Sequence, residues 1–411
     1  MSETTPAKTE PAATALTPAQ QEFARRYFVE RKGTNSLKWD ALRERFGDAD
    51  LLSLWVADMD FRVADCITSA LNERITHGVY GYSFVPSEFY RAYFDWAKTR
   101  HGLHLEKSWT RFSNGVVQSI YNLLHAFSEP GDKVVILPPV YYQFARAIKD
   151  TGRQEITVPL RVTGGRFEID FDEFERVIAS EKPRIYIHCS PHNPAGRVWT
   201  ENEQQRLFEI CAQHDVLIIA DEVHQDLVFA PHVQVPSFNV ADGVFRDRII
   251  TVTAASKSFN LATLAFSLMF IADSELRAKY DSYASTHFNS ELNLLGMIAT
   301  QSAYASGAEW LENVKAIVQY NAEIVKRELA AGLPGAHVFT LEGTYLLFID
   351  LNPVLDGQSA KEIVQNKAKL AIDFGEWFGE GFAGFIRINL ATKPEIIAEA
   401  VERLIAAFTE N

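Results

Sequence analysis

Six short segments of the sequence hold residue types that do chemistry where strands end and helices begin. In SNGVVQSIYNLLHAF, residues 113–127, a Ser-Asn-Gly turn opens an amphipathic helix at Val116. Open backbone N–H groups at a helix start, with the dipole behind them, bind phosphate, and Gly115 lets the backbone come close. An ordinary capped helix has the same pattern. KVVILPPVYYQF runs from a buried strand into Tyr141 and Tyr142. Aromatics just past a parallel strand's C-terminal end lie where α/β sheets bind ligands, so one of them can stack on a planar cofactor or simply cover the core edge.

HCSPHNPAGRVWT places Asn193 in a loop after the strand RIYIHCS, where an amide can donate to a ligand oxygen. His188 and His192 lie nearby without a third ligand at metal-binding spacing. VLIIADEVHQDLVF ends its strand at Asp221-Glu222, with His224 beyond. An acid there is costly to bury without a cation, such as a protonated heterocyclic nitrogen, although a lone strand-end Asp also serves as a helix cap. TVTAASKSFNLATL puts Lys257 after the strand RIITVTA, between Ser256 and Ser258. A lysine in a dry pocket loses its proton and attacks carbonyls to form Schiff bases; a solvated lysine does not. GFIRINLA sets Arg387 between Ile386 and Ile388, where a guanidinium needs an anion: a bidentate ligand carboxylate or an internal salt bridge.

Each segment alone has an ordinary structural explanation. Their order and spacing unite them. Asn193 to Asp221 is 28 residues and Asp221 to Lys257 is 36, each about one β-α-β step. The five candidates before Arg387 fall at strand ends or helix starts on one edge of a sheet.

The elements that must position them follow from periodicity. From residue 112 to about 270, apolar runs such as KVVILPP, RIYIHCS, VLIIADE and RIITVTA alternate with amphipathic stretches. That predicts parallel β-α-β units with both sheet faces covered. Residues 21–50 are helix-like, LLSLWVADMDF is a strand or extended entry, and Arg62 to His77 is helical. Leu292 to Leu329 is a long helical pattern interrupted by Gly296 and Gly307. After 336, the strands HVFT, YLLFIDL and FIRINLA precede a final amphipathic helix. Segregated elements of this kind predict a smaller α+β domain. The expected division is a disordered lead-in over 1–20, part of the small domain over 21–57, a large domain over 58–300, and the rest of the small domain over 301–411.

The 411 residues carry 40 Lys+Arg against 53 Asp+Glu, a net charge of −13. A uniformly acidic surface argues against nucleic acid or an anionic membrane as partner. Three scattered cysteines make no disulfide framework and point to reducing cytoplasm. No apolar run approaches the ~20 residues of a membrane span, and the first residues do not read as a secretory signal.

Together the segments WVADMDF, HGVYGYS, NGVVQSI, PPVYYQF, HNPAGR, ADEVHQDL, SKSFNLA, EGTYLLF and GFIRINLA resemble the fold-type I pyridoxal-phosphate enzymes, aminotransferase class I/II. Within them the chain is most similar to the cystathionine β-lyase-like C–S lyase branch of the MalY/PatB type, which tends to have His where His224 stands. The resemblance covers about residues 51–391. It implies the aspartate aminotransferase type of fold, with pyridoxal 5'-phosphate in the large domain. It gives Lys257 the Schiff base to the cofactor and the movement of the α-proton. Asp221 would pair with the ring nitrogen, Asn193 and His224 with the ring hydroxyl, and Tyr141 would stack on the ring. Gly115, Val116 and Val117 amides with Ser256 would hold the phosphate, helped by Tyr82 across a homodimer interface. Arg387 would clamp the α-carboxylate of a small amino-acid substrate, with Ala57 and Asp58 beside it.

The chain departs from this family at Ser113-Asn114, at Gln118-Ser119, at Thr263, and at Ala265, where a basic phosphate ligand is common. The activity the resemblance implies is β-elimination from a cysteine S-conjugate to thiol, pyruvate and ammonia. Transamination, decarboxylation with oxidative deamination, and a non-catalytic regulatory role are the alternatives.

Overall fold

In the computed structural model, which describes residues 15–287 and 292–409, the apolar runs of the chain's middle form one seven-stranded sheet. Its strands are β1 (Thr110–Ser113), β2 (Lys133–Ile136), β3 (Gln154–Thr157), β4 (Ile185–Cys189), β5 (Leu217–Asp221), β6 (Ile249–Thr253) and β7 (Ser267–Ile271). They lie in the order β1-β7-β6-β5-β4-β2-β3. β3, β2, β4, β5 and β6 pair in parallel, and β7 runs antiparallel to β1 and β6. Every residue of β4, β5 and β6 is buried. Alternate side chains enter two cores: Ile187 and Ile219 go to one, Tyr186 and Ile218 to the other. This two-sided burial is why these strands read as unbroken apolar runs. Register places Cys189 opposite Asp221, and Asp221 opposite Val252. The loops carrying Asn193, His224 and Lys257 therefore leave from one edge.

The second sheet is antiparallel, in the order His337–Val338, Leu346–Asp350, Phe385–Asn389, Asp373–Phe374. Leu52–Ser53 pairs in parallel with Leu370–Ala371, so early and late parts of the chain meet. The fold is the expected one: a large α/β part with a mostly parallel sheet, and a smaller α+β part drawing on both ends.

Three local expectations are refined. Residues 1–14 of the expected lead-in lie outside the described residues, and its last residues are already helical. Thr17 and Gln20 form a reciprocal capping box that starts the helix Pro18–Tyr27. Of LLSLWVADMDF, only Leu52–Ser53 is strand. The long pattern after Leu292 is two helices, Leu294–Ser306 and Ala308–Gly332, broken at Gly307. Gly296 does not interrupt. A Cβ there would stand 2.2 Å from the Leu264 carbonyl, so glycine lets this helix pack against the loop after Lys257. Among the described residues, no helix is long and apolar enough to cross a membrane.

Candidate active site

A cavity of about 200 Å³ opens where the parallel strands end. One end is the start of the helix Val116–Phe127, lined by Gly115, Val116 and Val117. Gly115 has φ +107°, and a Cβ added to it would meet nothing within 4 Å. Glycine is needed there for the backbone turn rather than for space. The N-cap residue Gly115 has no side chain to cap this helix, and with Val116 and Val117 it lines the cavity, so the helix start is turned toward an anion placed there. Tyr141, Asn193, Asp221, His224, Ser256, Lys257 and Ala57 line the rest.

Burial sets the charge states. Asp221 is buried at the end of β5, and desolvation pushes its carboxyl up to about 7, against the pull of the Val223 N–H at 3.1 Å and of Lys257. Burial brings the Lys257 ammonium down to about 8; Asp58 and Asp221 hold it up, and Arg387 lowers it further. His224 is pushed well below its ordinary value by burial, with Lys257 and Arg387 adding to the effect. It is a neutral ring, packed edge-on to Tyr345 at 5.8 Å, and its Nδ1 has no partner among the described residues.

Irregular backbone must find its hydrogen bonds outside any ladder. Residues 55–59 find theirs in side chains from distant elements. Arg387 donates to the Trp55 carbonyl (3.2 Å), and Asn389 to those of Val56 and Asp58 (2.5 and 2.6 Å). Lys257 Nζ and the Tyr345 hydroxyl both donate to the Ala57 carbonyl, each at 2.8 Å. Asn260 accepts from the Met59 amide and donates to the Met59 and Phe61 carbonyls, all at 3.0 Å.

Arg387 is buried in the small sheet and lies over the Phe378 ring, 4.8 Å from its centre. Its Nη1 donates to Asn193 Oδ1 at 2.8 Å, which joins the two sheets at the cavity and leaves the Asn193 NH2 to donate. Its Nη2 donates to Asp373 Oδ2, directly across the strand pair.

Three expected residues do not line the cavity: Arg387 touches its wall through Asn193, and two others stand apart. The Asp58 carboxylate is gripped by both Nη groups of Arg31, at 2.8 and 2.7 Å, and reaches Lys257 only through its field. Tyr82 is 93% exposed in a segment without regular structure, together with exposed Val79, Tyr80 and Phe84. Sequence reasoning missed Asp373, Asn389, Asn260 and Tyr345 as individuals. Asn260, Tyr345 and Asn389 lay inside quoted segments, and for Asn389 a polar residue in an otherwise apolar strand was the available signal.

The model of the family described as Aminotransferase class I and II matches residues 49–404. The chain belongs to this family. It is 34% identical over 383 residues to "Cystathionine beta-lyase PatB" of Bacillus subtilis (strain 168), covering 92% of this chain and 98% of that one. It is 33% identical to "Protein MalY" of Escherichia coli (strain K12), covering 92% and 97%. Among solved structures it is similar to "the PLP-bound C-S lyase from Staphylococcus hominis", with TM-score 0.88, 31% identity, and 95% and 99% of the two chains covered.

The residues of the cavity fit pyridoxal 5'-phosphate. Open helix-start amides suit its phosphate. Asp221 is a buried acid hydrogen-bonded by the Val223 backbone amide, ready for a cationic ring nitrogen. His224 Nδ1, buried and unpartnered, suits a ring hydroxyl. Lys257 is a buried amine near neutrality, as a Schiff-base lysine needs to be.

Proposed function

We propose that this enzyme is a C–S β-lyase that cleaves a cysteine S-conjugate to thiol, pyruvate and ammonia. The observation that carries the reading is the meeting of Lys257, Asp221 and Asn193 at one small cavity closed by a helix start, with Arg387 hydrogen-bonded to Asn193 behind its wall. The C–S lyase and cystathionine β-lyase names of its relatives support it.

When bound, the cofactor supplies an electron sink for the bonds at the substrate's α-carbon. Asp221 keeps the ring nitrogen protonated by offering an anion the burial would otherwise disfavour. Asn193 and His224 orient the ring through its hydroxyl, Tyr141 covers one face, and the Gly115–Val117 amides with Ser256 hold the phosphate. Arg387 takes the α-carboxylate and so fixes which bond at the α-carbon stands in line for cleavage. Lys257 Nζ, half charged near pH 8, accepts the α-proton as the thiolate leaves the β-carbon.

The same reading makes the protein a cytoplasmic homodimer. The exposed stretch Val79, Tyr80, Tyr82 and Phe84 is the surface that meets the second copy, with Tyr82 reaching the partner's phosphate site.

The test is a product assay on the holoenzyme with a panel of S-substituted L-cysteines. Pyruvate and free thiol appearing in equal amounts are expected. A keto acid that depends on an amino acceptor, or an aldehyde without pyruvate, would replace β-elimination by transamination or decarboxylative deamination. Gln118, which lines the cavity, would then be the first residue to exchange.

A further inference from the structure

Arg387 has five N–H donors, and the way they are used bears on substrate binding. Nη1 gives one hydrogen to Asn193. Nη2 gives one to the Trp55 carbonyl and one to Asp373. Nε has no partner among the described residues. A carboxylate that docks on a guanidinium with two parallel bonds uses Nη2 together with either Nη1 or Nε. Both edges run through Nη2, and both Nη2 hydrogens are engaged. A substrate carboxylate can dock that way only by displacing one acceptor. The Trp55 carbonyl is backbone, in a segment pinned by Asn389, Tyr345 and Asn260. Of the two acceptors, Asp373 is the one carried on a side chain, so a change of rotamer can move it without moving backbone.

Asp373 is built as an incomplete partner. It is buried opposite Arg387, yet it bonds through one oxygen, while its Oδ1 and the Arg387 Nε are both left unpaired. The pair therefore leaves one buried acceptor and one buried donor unused among the described residues, which a bidentate pair would have joined.

We infer that Asp373 occupies the carboxylate seat on Arg387 in the free enzyme, yields it to the α-carboxylate of the substrate, and takes up one proton from solvent as it does so. The inference rests on the reading of Arg387 as the carboxylate clamp. The proton balance follows from charge: one guanidinium cannot neutralise two buried carboxylates, so the displaced one becomes a neutral acid. The groups that act on Asp373 are Arg387, which favours its anion, and the phenols of Tyr141 and Tyr142, which burial keeps neutral. Burial already pushes the Asp373 carboxyl up to about 6. Above that pH, each further unit weakens binding of an α-amino acid about tenfold through this group.

The experiment titrates holoenzyme with L-alanine, which has the α-carboxylate and no leaving group, following the cofactor absorbance from pH 5.5 to 8.5. Wild type is compared with Asp373→Asn, and with Asp373→Ser should the first variant fail to fold. Taking the ratio of affinities cancels the ionisations of Lys257 and of the amino acid. The expected result is tenfold or greater tightening in the variant at pH 8, closing toward pH 5.5. Wild type also takes up more protons on binding at pH 7.5, counted in buffers of different ionisation enthalpy. Parallel pH slopes for the two proteins, or weaker binding by the variant at every pH, would overturn the inference and leave Asp373 as a prop for Arg387. Arg387→Ala separates the two readings. If it binds L-alanine as well as wild type, the clamp is wrong. If it binds poorly while wild type and Asp373→Asn have parallel slopes, only the exchange at Asp373 is wrong.

Discussion

Lys257 and Tyr345 meet on one atom: the ammonium and the phenol both donate to the carbonyl oxygen of Ala57, each at 2.8 Å. The lysine is thereby aimed by a hydrogen bond it can break, and the tyrosine keeps the acceptor in place when it does.

Replacing the lysine removes both the Schiff-base amine and the base for the α-proton. Lys257→Ala lowers turnover of an S-substituted L-cysteine by roughly 10⁴-fold or more, with far-UV circular dichroism unchanged. Pyruvate formation within tenfold of wild type would remove Lys257 from the chemistry.

Ala265 lines the cavity, and Lys257 is the one Lys or Arg side chain among its described lining residues. Ala265 already has φ +42°, so a lysine there meets the same backbone cost as the alanine. Ala265→Lys adds a charge-assisted bond to the phosphate and slows cofactor loss on dialysis by about tenfold. Equal or faster loss would place the phosphate elsewhere.

The stability of the cofactor-free protein responds to Asp221. Its folded carboxyl titrates near 7, above its ordinary value of 3.8. The stabilisation this brings is fully present below 3.8 and is lost as pH rises through 7. Between pH 6 and 8 the loss is about 1.4 kcal/mol. Scanning fluorimetry of the cofactor-free protein therefore gives a Tm that falls across this range. Asp221→Asn abolishes that part of the fall, and an identical slope in the variant would contradict the buried, unpaired state of this acid.

Light scattering tests the assembly. The chain mass is 46.3 kDa, and a particle of twice that mass is expected. Tyr82→Ala keeps the mass and loosens cofactor retention several-fold. A fully active monomer would rule out the shared site.

Much of the site was legible because backbone periodicity exposes strand ends. Asn193 follows β4, Asp221 ends β5 and Lys257 follows β6, and the two-sided burial of these strands makes them unmistakable apolar runs. The helix Glu201–Gln213 and β5 set the distance from Asn193 to Asp221; from Asp221 to Lys257 the chain has only the kinked 3-10 segment Ser237–Gly243 before β6, so that interval is not the β-α-β step its length suggested. Asp373 was not legible, because its meaning comes from pairing with a strand that follows it across a turn, and a two-residue strand leaves no pattern. Asp58 was read as touching substrate; its grip by Arg31 depends on how the irregular stretch 28–36 folds back, which periodicity does not report. Tyr82 is exposed in one copy of the chain, and the role expected of it would need a second.

The pinning of residues 55–59 sets an order of events during synthesis. The Trp55 carbonyl waits for Arg387, 332 residues later, and the Val56 carbonyl for Asn389. At ~5–20 residues per second this delay is roughly 20–60 s. Lys257 itself is made only after Asp221 and well past the middle of that interval, so for most of it neither the lysine nor the arginine is present. Until Arg387 and Asn389 are made, the carbonyls of Trp55, Val56 and Asp58 lack their partners in the small sheet, so a stretch near the start of the chain is among the last to be fixed in place.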